Sequence, residues 1–380
     1  MKQSAEFHDC RLCKTPDPHI SVERPRLPVF QNVVHPTYEQ ARDAPSAPFA
    51  LGTCPACGFS YNAVFDAGLV TYDTDYDNHV ESTAFRRYYH DLAQMMITRF
   101  DLSHGTVYDV GCGKGEFLRS LCALAPGIRG IGIDPSCTPC VDGNFELRRA
   151  TFETSDINGD ARLVILRHVL EHIQQPAVFL AGLRAAMPNA PLYVEVPDLT
   201  WILHHTAFWD FCYEHCNYFT PDTLASAMRG AGFDVLGQDV AFGGQYQWII
   251  GAPAANPGPI GRNAIVARAA VDAYLARETM AVGSLRDLAD RDGGLAVWGM
   301  ATKGVLLAIL LGGDRVIGGI DMNKAKQGFY AAGSGVRINS LEWLRDLQPG
   351  TRVVVMNPNY LAEIQQSVTS IRGDLQVMSV

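Results

Sequence analysis

The segment Tyr108–Leu118, YDVGCGKGEFL, constrains this chain more than any other stretch of its length. An apolar strand pattern, TVYDV, runs into Gly111, Gly113 and Gly115, and helix-forming sequence resumes at Glu116. Glycines at those positions let the backbone turn sharply and approach a ligand without Cβ clashes. A strand, a glycine loop and a helix in that order open a parallel crossover, which predicts an α/β fold with a ligand at the strand's carboxyl end. Two acids define the ligand further. Asp109 precedes the loop, where it would repel a pyrophosphate and suit a ligand with a cationic amino-acid end. Asp134 closes the next strand, GIRGIGID, where a carboxylate accepts ribose hydroxyls.

The alternation extends in both directions. STAFRRYYHDLAQMMITRF reads as an amphipathic helix with Ser82 as its N-cap. Beyond the glycine loop, strands ARLVILRH, APLYVEVP and YQWIIGAP alternate with helices PAVFLAGLRAAM and PDTLASAMRGAG, which predicts a mostly parallel sheet covered on both faces. The Pro, Gly and Asn residues of ANPGPIGRN mark a boundary. After a helix from about Ala264 to Asp290, the strand–loop–helix–strand order recurs in LAVWG, MATKGVLLAILL, VIGGID and TRVVVMNP. Three units follow: residues 1–75, 76–255 and 256–380.

The first unit is rich in proline and holds Cys10–Arg–Leu–Cys13 and Cys54–Pro–Ala–Cys57. Each CxxC pair presents two thiolates to one ion, and four thiolates in a tetrahedron suit a structural zinc with no open position. Gly58 fits the tight turn of the second knuckle, and the long spacer is expected to carry strands of its own.

Composition narrows the function. The net charge of −9 argues against a nucleic-acid face, which needs clustered Lys and Arg. No apolar run reaches the ~18 residues of a membrane span. The first residues show no signal-peptide core, so a cytoplasmic protein with reduced thiols is expected.

The glycine loop, Asp109 and Asp134 together resemble the first motifs of the class I S-adenosylmethionine-dependent methyltransferases. That resemblance implies a Rossmann-like core in which Gly111, Gly113 and Gly115 line the methionine side of the cofactor and Asp134 the ribose, with Asp156 toward the adenine. ILRHVLEHIQQP, Ile165–Pro176, extends it and would put Arg167 or His168 near the transferred methyl group, with Glu171 and His172 as packing or capping residues.

Across the whole chain, the cysteine quartet, the Glu214–His215 pair in its aromatic segment, and AFGGQYQW resemble the sugar C-methyltransferases. GMATKG and VVVMNPNYLAEI continue that resemblance. It implies a nucleotide-linked keto-deoxysugar as the small-molecule substrate and His215 as the base that removes the α-proton. Glu214 and Tyr76 would assist at the active site. A histidine in an apolar pocket is neutral near pH 7, as a base must be. The family reads Tyr-His-Glu-His where this chain has Cys212–Tyr213–Glu214–His215, and His204 and His205 lie upstream as further candidate bases. The second α/β unit would hold the nucleotide-sugar: Lys303 at the start of a helix for the phosphates, Asp321 for a ribose, and Gly243, Gly244, Asn357 and Tyr360 around it. The alternatives are an O- or N-methyltransferase acting on a sugar or natural product, a non-catalytic zinc-containing module, and an NAD-dependent oxidoreductase.

Overall fold

A computed structural model describes residues 7–73, 76, 82–153, 157, 161–262, 268–301 and 303–380. Asp156 lies outside them. Three larger sheets and a two-stranded one, Val34–His35 with Tyr330–Ala331, organise the described chain. The central one contains β1 (Gly105–Val110), β2 (Ile128–Ile133), β3 (Phe145–Arg148), β4 (Ala161–Arg167), β5 (Leu192–Pro197), β6 (Phe233–Ala241) and β7 (Tyr246–Pro253), in the order β6-β7-β5-β4-β1-β2-β3. A short strand, Cys140–Asp142, pairs antiparallel outside β3. All six residues of β5 and five of the seven in β4 are buried, because helices cover both faces of the parallel core. The covering helices include α1 (Thr83–Phe100), α2 (Glu116–Leu124), α3 (Pro176–Ala186) and α4 (Pro221–Gly230). Ser82 caps α1 through Phe85 N at 3.3 Å, as its sequence position predicts.

The predicted strand YQWIIGAP is present as β7, but it runs antiparallel to both neighbours. The reason is local. Positive φ at Phe242, Gly243 and Gly244 closes a tight turn, so β6 and β7 form a hairpin and β7 inserts between β5 and β6. β3 and β6 escape the sequence reading because they lie toward the sheet margins, where half-exposed strands carry charged and polar residues.

The second crossover region forms an all-parallel sheet of β8 (Leu295–Trp298), β9 (Val316–Ile320), β10 (Ile338–Asn339), β11 (Arg352–Val355) and β12 (Gln376–Ser379), ordered β10-β9-β8-β11-β12. Helix α5 (Arg268–Asp292) precedes it; α6 (Lys303–Leu311) and α7 (Leu361–Ile371) follow β8 and β11. The crossover repeats that of the central sheet bond for bond. Gly111 N donates to Ile133 O at 2.8 Å, and Gly299 N to Ile320 O at 2.9 Å. Asp134 accepts from Gly113 N and Ser136 N, and Asp321 from Ala301 N and Asn323 N.

The spacer between the cysteine pairs does form strands, His19–Pro28 and Ser46–Thr53, in a sheet completed by Ser60–Asn62 and, from far along the chain, Asn217–Tyr218. Arg24 links this sheet to α5. Its guanidinium holds both carboxylate oxygens of Glu278, the second at 2.6 Å, and Tyr274 donates to the same group. No helix among the described residues is long and apolar enough to cross a membrane.

The side chains of Arg24 and Glu278 are only 11% and 10% exposed. Arg24→Met should therefore strand a buried carboxylate and lower stability by about 3–5 kcal/mol in chemical denaturation. Adding Glu278→Leu should recover most of that loss.

Candidate active site

The carboxyl ends of β1, β2 and β4 open onto a cavity of ≈ 420 Å³. Gly111, Gly113, Asp109, Asp134, Arg167, His168, Tyr76, His215 and Lys303 all line it. The fold thus gathers residues spread over more than two hundred positions around one cavity.

Gly111 has φ +74°, and a Cβ there would come within 2.2 Å of Val169 Cγ2. Gly115 is the N-cap of α2 with φ +80°; a Cβ would strike Leu147 at 2.8 Å, so it shapes the loop without lining the cavity. Asp134 is fixed by Gly113 N at 2.9 Å and by Ser136 N and Oγ at 2.7 and 2.6 Å. A carboxylate has about four acceptor sites, so Asp134 still has capacity for a hydroxyl. Asp109 differs. It is 3% exposed, and no donor among the described residues reaches its carboxylate. Burial first, and then the charges of Asp134 and Glu195 against the opposing pull of Arg167, raise it to about 7. A buried, unpartnered acid at the head of a glycine cradle fits a ligand bearing an ammonium group. These residues therefore fit S-adenosylmethionine: the glycine loop at its amino-acid side and Asp134 at its ribose.

The opposite wall is built from β4, β5 and the segment after Phe208. His168 sits at φ +56°, held by its N–H to Glu195 O at 2.9 Å. Its ring lies 3.1 Å from Glu195 Oε1 and 3.6 Å from Glu171 Oε1, and packs edge-on against Tyr246. Burial opposes its cation, yet the carboxylates of Glu171 and Glu195, as acceptors, prevail and raise its pKa.

His215 faces the cavity with its ring 4.9 Å from that of His172. Burial, and then the charges of Lys303 and His168, lower it to about 3; burial and His215 lower His172 to about 4. Both are neutral at pH 7. Nδ1 of His172 lies 3.1 Å from Glu214 O. Tyr72 Oη is 2.8 Å from the same nitrogen. One ligand atom each of Glu171, His172 and His215 lies within 4.8 Å of the others, but the charge of Lys303, which acts on His215, disfavours a cation there.

Glu214 does not line the cavity. It stands behind Tyr76, whose hydroxyl donates to Glu214 Oε2 at 2.8 Å and receives Asn32 Nδ2 at 3.2 Å. Burial raises Glu214 to about 7 against the Tyr76 hydrogen bond. His204 and His205 are exposed at the end of the Leu199–His204 helix, away from this wall.

A second cavity of ≈ 210 Å³ lies at the carboxyl ends of β8, β9 and β11, and Asn32, Tyr246 and Lys303 line both. Asn357 and Tyr360 line the second one. Lys303 Nζ donates to Asp210 Oδ1 at 3.0 Å. Gly243 and Gly244 line neither cavity. Their turn instead seats the second α/β unit: a Cβ on Gly243 would meet Asn359 Oδ1 at 2.5 Å, and Asn359 Nδ2 donates to Phe242 O at 2.9 Å. Asn32, Tyr72, Asp210 and Tyr246 were not singled out in the sequence, since only folding brings them to the cavity.

The four sulfurs of Cys10, Cys13, Cys54 and Cys57 lie within 4.8 Å of one another, with Cys10–Cys57 at 3.6 Å and Cys13–Cys54 at 3.5 Å. A tetrahedron with ~2.3 Å metal–sulfur arms has edges of about 3.75 Å, so the donor set fits a zinc ion. Arg11, inside the first knuckle, donates to Cys216 O at 2.8 Å and to Asn62 O at 3.0 Å. The cysteine cluster thereby holds the backbone immediately after His215.

Because the folded-state pKa of Asp109 is raised from 3.8 to about 7, its contribution to stability is complete below about pH 4 and is lost as pH rises through 7. Asp109→Asn should flatten that decline and raise the thermal midpoint of the ligand-free protein near pH 8. It should also weaken S-adenosylhomocysteine at least about tenfold by calorimetry, through loss of a charged partner.

Residues 80–238 match the family model described as a methyltransferase domain. Among curated proteins none matches. Solved structures with partial likeness include 1,6-didemethyltoxoflavin-N1-methyltransferase of Burkholderia thailandensis, at 16% identity over 46% of this chain and 80% of that one, TM-score 0.34. Human N-acetylserotonin methyltransferase shows 18% identity over 45% and 55%, TM-score 0.36. The N,N-8-amino-8-demethyl-D-riboflavin dimethyltransferase of Streptomyces davawensis shows 21% over 45% and 55%, TM-score 0.35. The chain thus spans about half the length of these last two. The domain match covers the glycine loop, Asp134 and the residues from His168 to His215: residues 80–238 carry a methyltransferase domain.

Proposed function

We propose that this enzyme methylates a carbon α to the ketone of a nucleotide-linked keto-deoxysugar, with His215 as the base. One observation carries the reading: the glycine loop, a neutral His215 and the Lys303 ammonium line a single cavity that adjoins a second one through Lys303. S-adenosylmethionine, when bound, supplies an electrophilic methyl group. His215 accepts the α-proton, leaving an enolate whose carbon would form the new bond to that methyl carbon as the methyl–sulfur bond breaks and its electron pair stays on sulfur. Lys303 lines the same cavity as a cation able to offset the developing charge. Tyr76, braced by Glu214 and Asn32, orients the acceptor. Lys303, Asn357 and Tyr360 would hold the nucleotide portion. An anion beside Lys303 would also relieve one of the charges that depress His215, so a phosphorylated substrate strengthens its own base.

The division of labour in this reading follows the chain. Residues 1–75 bind a structural zinc through Cys10, Cys13, Cys54 and Cys57, residues 76–255 bind the cofactor, and residues 256–380 hold the acceptor. A second reading, methyl transfer to an oxygen or nitrogen, is favoured by the imidazoles themselves. With pKa values of about 3 and 4, His215 and His172 suit hydrogen-bond acceptors that orient a hydroxyl or amine.

Exchange of the α-proton with deuterated solvent, run with S-adenosylhomocysteine and a panel of nucleotide-linked ketosugars, separates the two. Exchange abolished by His215→Asn, with S-adenosylhomocysteine affinity kept within about threefold, supports the carbon acceptor. Methyl transfer from S-adenosylmethionine to a substrate that shows no such exchange supports oxygen or nitrogen.

Purified protein should also contain about one zinc per chain, as a four-cysteine site requires. Chelation should raise hydrogen exchange around Cys216, because Arg11 then loses its anchor.

A further inference from the structure

The loop after strand His19–Pro28 starts in the N-terminal unit and ends against the second α/β unit. At its start Val29 N donates to Pro45 O at 2.8 Å. At its end Val34–His35 pairs antiparallel with Tyr330–Ala331. The three residues between these anchors all converge on one place. The ring of Phe30 packs edge-on against Tyr72 and Tyr76, with centroids 5.5 and 6.0 Å away. Gln31 N donates to Glu214 Oε1 at 3.4 Å. Asn32 is 5% exposed, its Nδ2 donates to the Tyr76 hydroxyl at 3.2 Å, and it lines both cavities. The unit that carries the cysteine cluster thus brings a polar side chain to the place where the two cavities meet.

That contact decides what Tyr76 can offer a ligand. A phenol has one proton and two lone pairs. The proton of Tyr76 goes to Glu214 Oε2 at 2.8 Å, and one lone pair takes the Asn32 amide. Among the described residues these are the hydroxyl's two hydrogen bonds, so one lone pair remains. The ring cannot swing to release them, because Phe30 and Tyr72 both pack edge-on against it, the latter at 4.9 Å. Tyr76 lines the cofactor cavity in this state. It can accept a hydrogen bond from a ligand, but it has no proton to give to a ketone oxygen or to an enolate. Lys303, a cation lining the same cavity, is left for an oxygen that becomes negative.

We infer that Asn32 is a positioning residue that holds Tyr76 as a hydrogen-bond acceptor, and that the sugar to be methylated presents a ring hydroxyl to it. This rests on the nucleotide-linked ketosugar reading above and narrows it to sugars with a donor beside the ketone-bearing part of the ring. The ketone and the hydroxyl are then told apart by hydrogen-bond polarity, which fixes how the ring lies against His215.

The test is calorimetric, at pH 8 and with S-adenosylhomocysteine present, so that Glu214, raised to about 7, is ionised. The probes are 4-keto-6-deoxyhexoses linked to deoxythymidine, guanosine or cytidine diphosphate, each with its 2-deoxy and 3-deoxy counterparts. Wild-type protein should bind a fully hydroxylated sugar at least about tenfold more tightly than one of its two deoxy counterparts, as loss of a buried hydrogen bond requires. Asn32→Leu keeps a branched side chain without a donor. It should reduce that preference below about threefold by weakening the hydroxylated sugar, with the affinity for S-adenosylhomocysteine kept within about threefold. Should the leucine variant fail to bind S-adenosylhomocysteine, Asn32→Ala is read in the same way. Equal losses for the hydroxylated and deoxy sugars in the variant, an unchanged preference, or a wild type indifferent to both hydroxyls would overturn the inference alone. Wild-type protein that bound S-adenosylhomocysteine and none of these sugars would overturn it together with the nucleotide-sugar reading.

Discussion

The segment Asp210–Phe219 is the constraint on which the rest of the structure depends. It is buried almost throughout, and each of the three larger sheets attaches to it. Asn217–Tyr218 completes the N-terminal sheet as its fourth strand. Arg11 fixes Cys216 O from within the cysteine knuckle. The side-chain amide of Asn217 donates to Leu170 O and Ile173 O, which ties the segment to the turn after β4. Asp210 takes Lys303 from the start of α6. His215 lies in the middle of these anchors. A histidine on a free loop would be hydrated and would titrate in the ordinary range, whereas one fixed on both sides is desolvated and neutral.

The same segment explains why a cysteine cluster remote from the cavity matters to it. The cluster contributes no group to the wall. It closes two knuckles, and the knuckle between Cys10 and Cys13 aims Arg11 at the carbonyl that follows His215. A guanidinium packed against Tyr61 and Phe65 and bonded to two carbonyls is a rigid strut. The N-terminal unit therefore acts on the chemistry through position.

Two parallel crossovers repeat one another's loop hydrogen bonds, yet their sites differ. In the central sheet the loop reads Gly111–Cys–Gly113–Lys–Gly115; in the second it reads Gly299–Met–Ala301, with Lys303 opening the helix. The first loop leaves backbone exposed to a ligand, whereas the second sends a cation to the boundary between two cavities. Both terminal acids are tied down by loop amides. This makes each of them a structural pin of its turn first and a ligand group second. Asp109, one strand earlier and without such a donor, is the acid that the fold leaves available.

By itself, the sequence determined what depends on near neighbours along the chain. The strand–glycine loop–helix run, the Ser82 cap, the two CxxC knuckles and the recurrence of a crossover near residue 300 are all set by spacing and by backbone preference. They are therefore legible without a fold. The apolar runs of β4 and β5 are legible for a related reason, since burial on both faces removes polar residues from them. The tertiary structure decided the rest. The direction of β7 depends on a hairpin turn, and the pairing of Asn217–Tyr218 with a sheet more than 150 residues earlier depends on three units meeting. That Glu214 stands behind Tyr76, that Gly243 seats Asn359 and leaves both cavities alone, and that Arg167 and Asp109, from neighbouring strands, line one cavity are all long-range facts. A side chain's chemistry is written in its type, but its solvation and its partners come only from what packs against it.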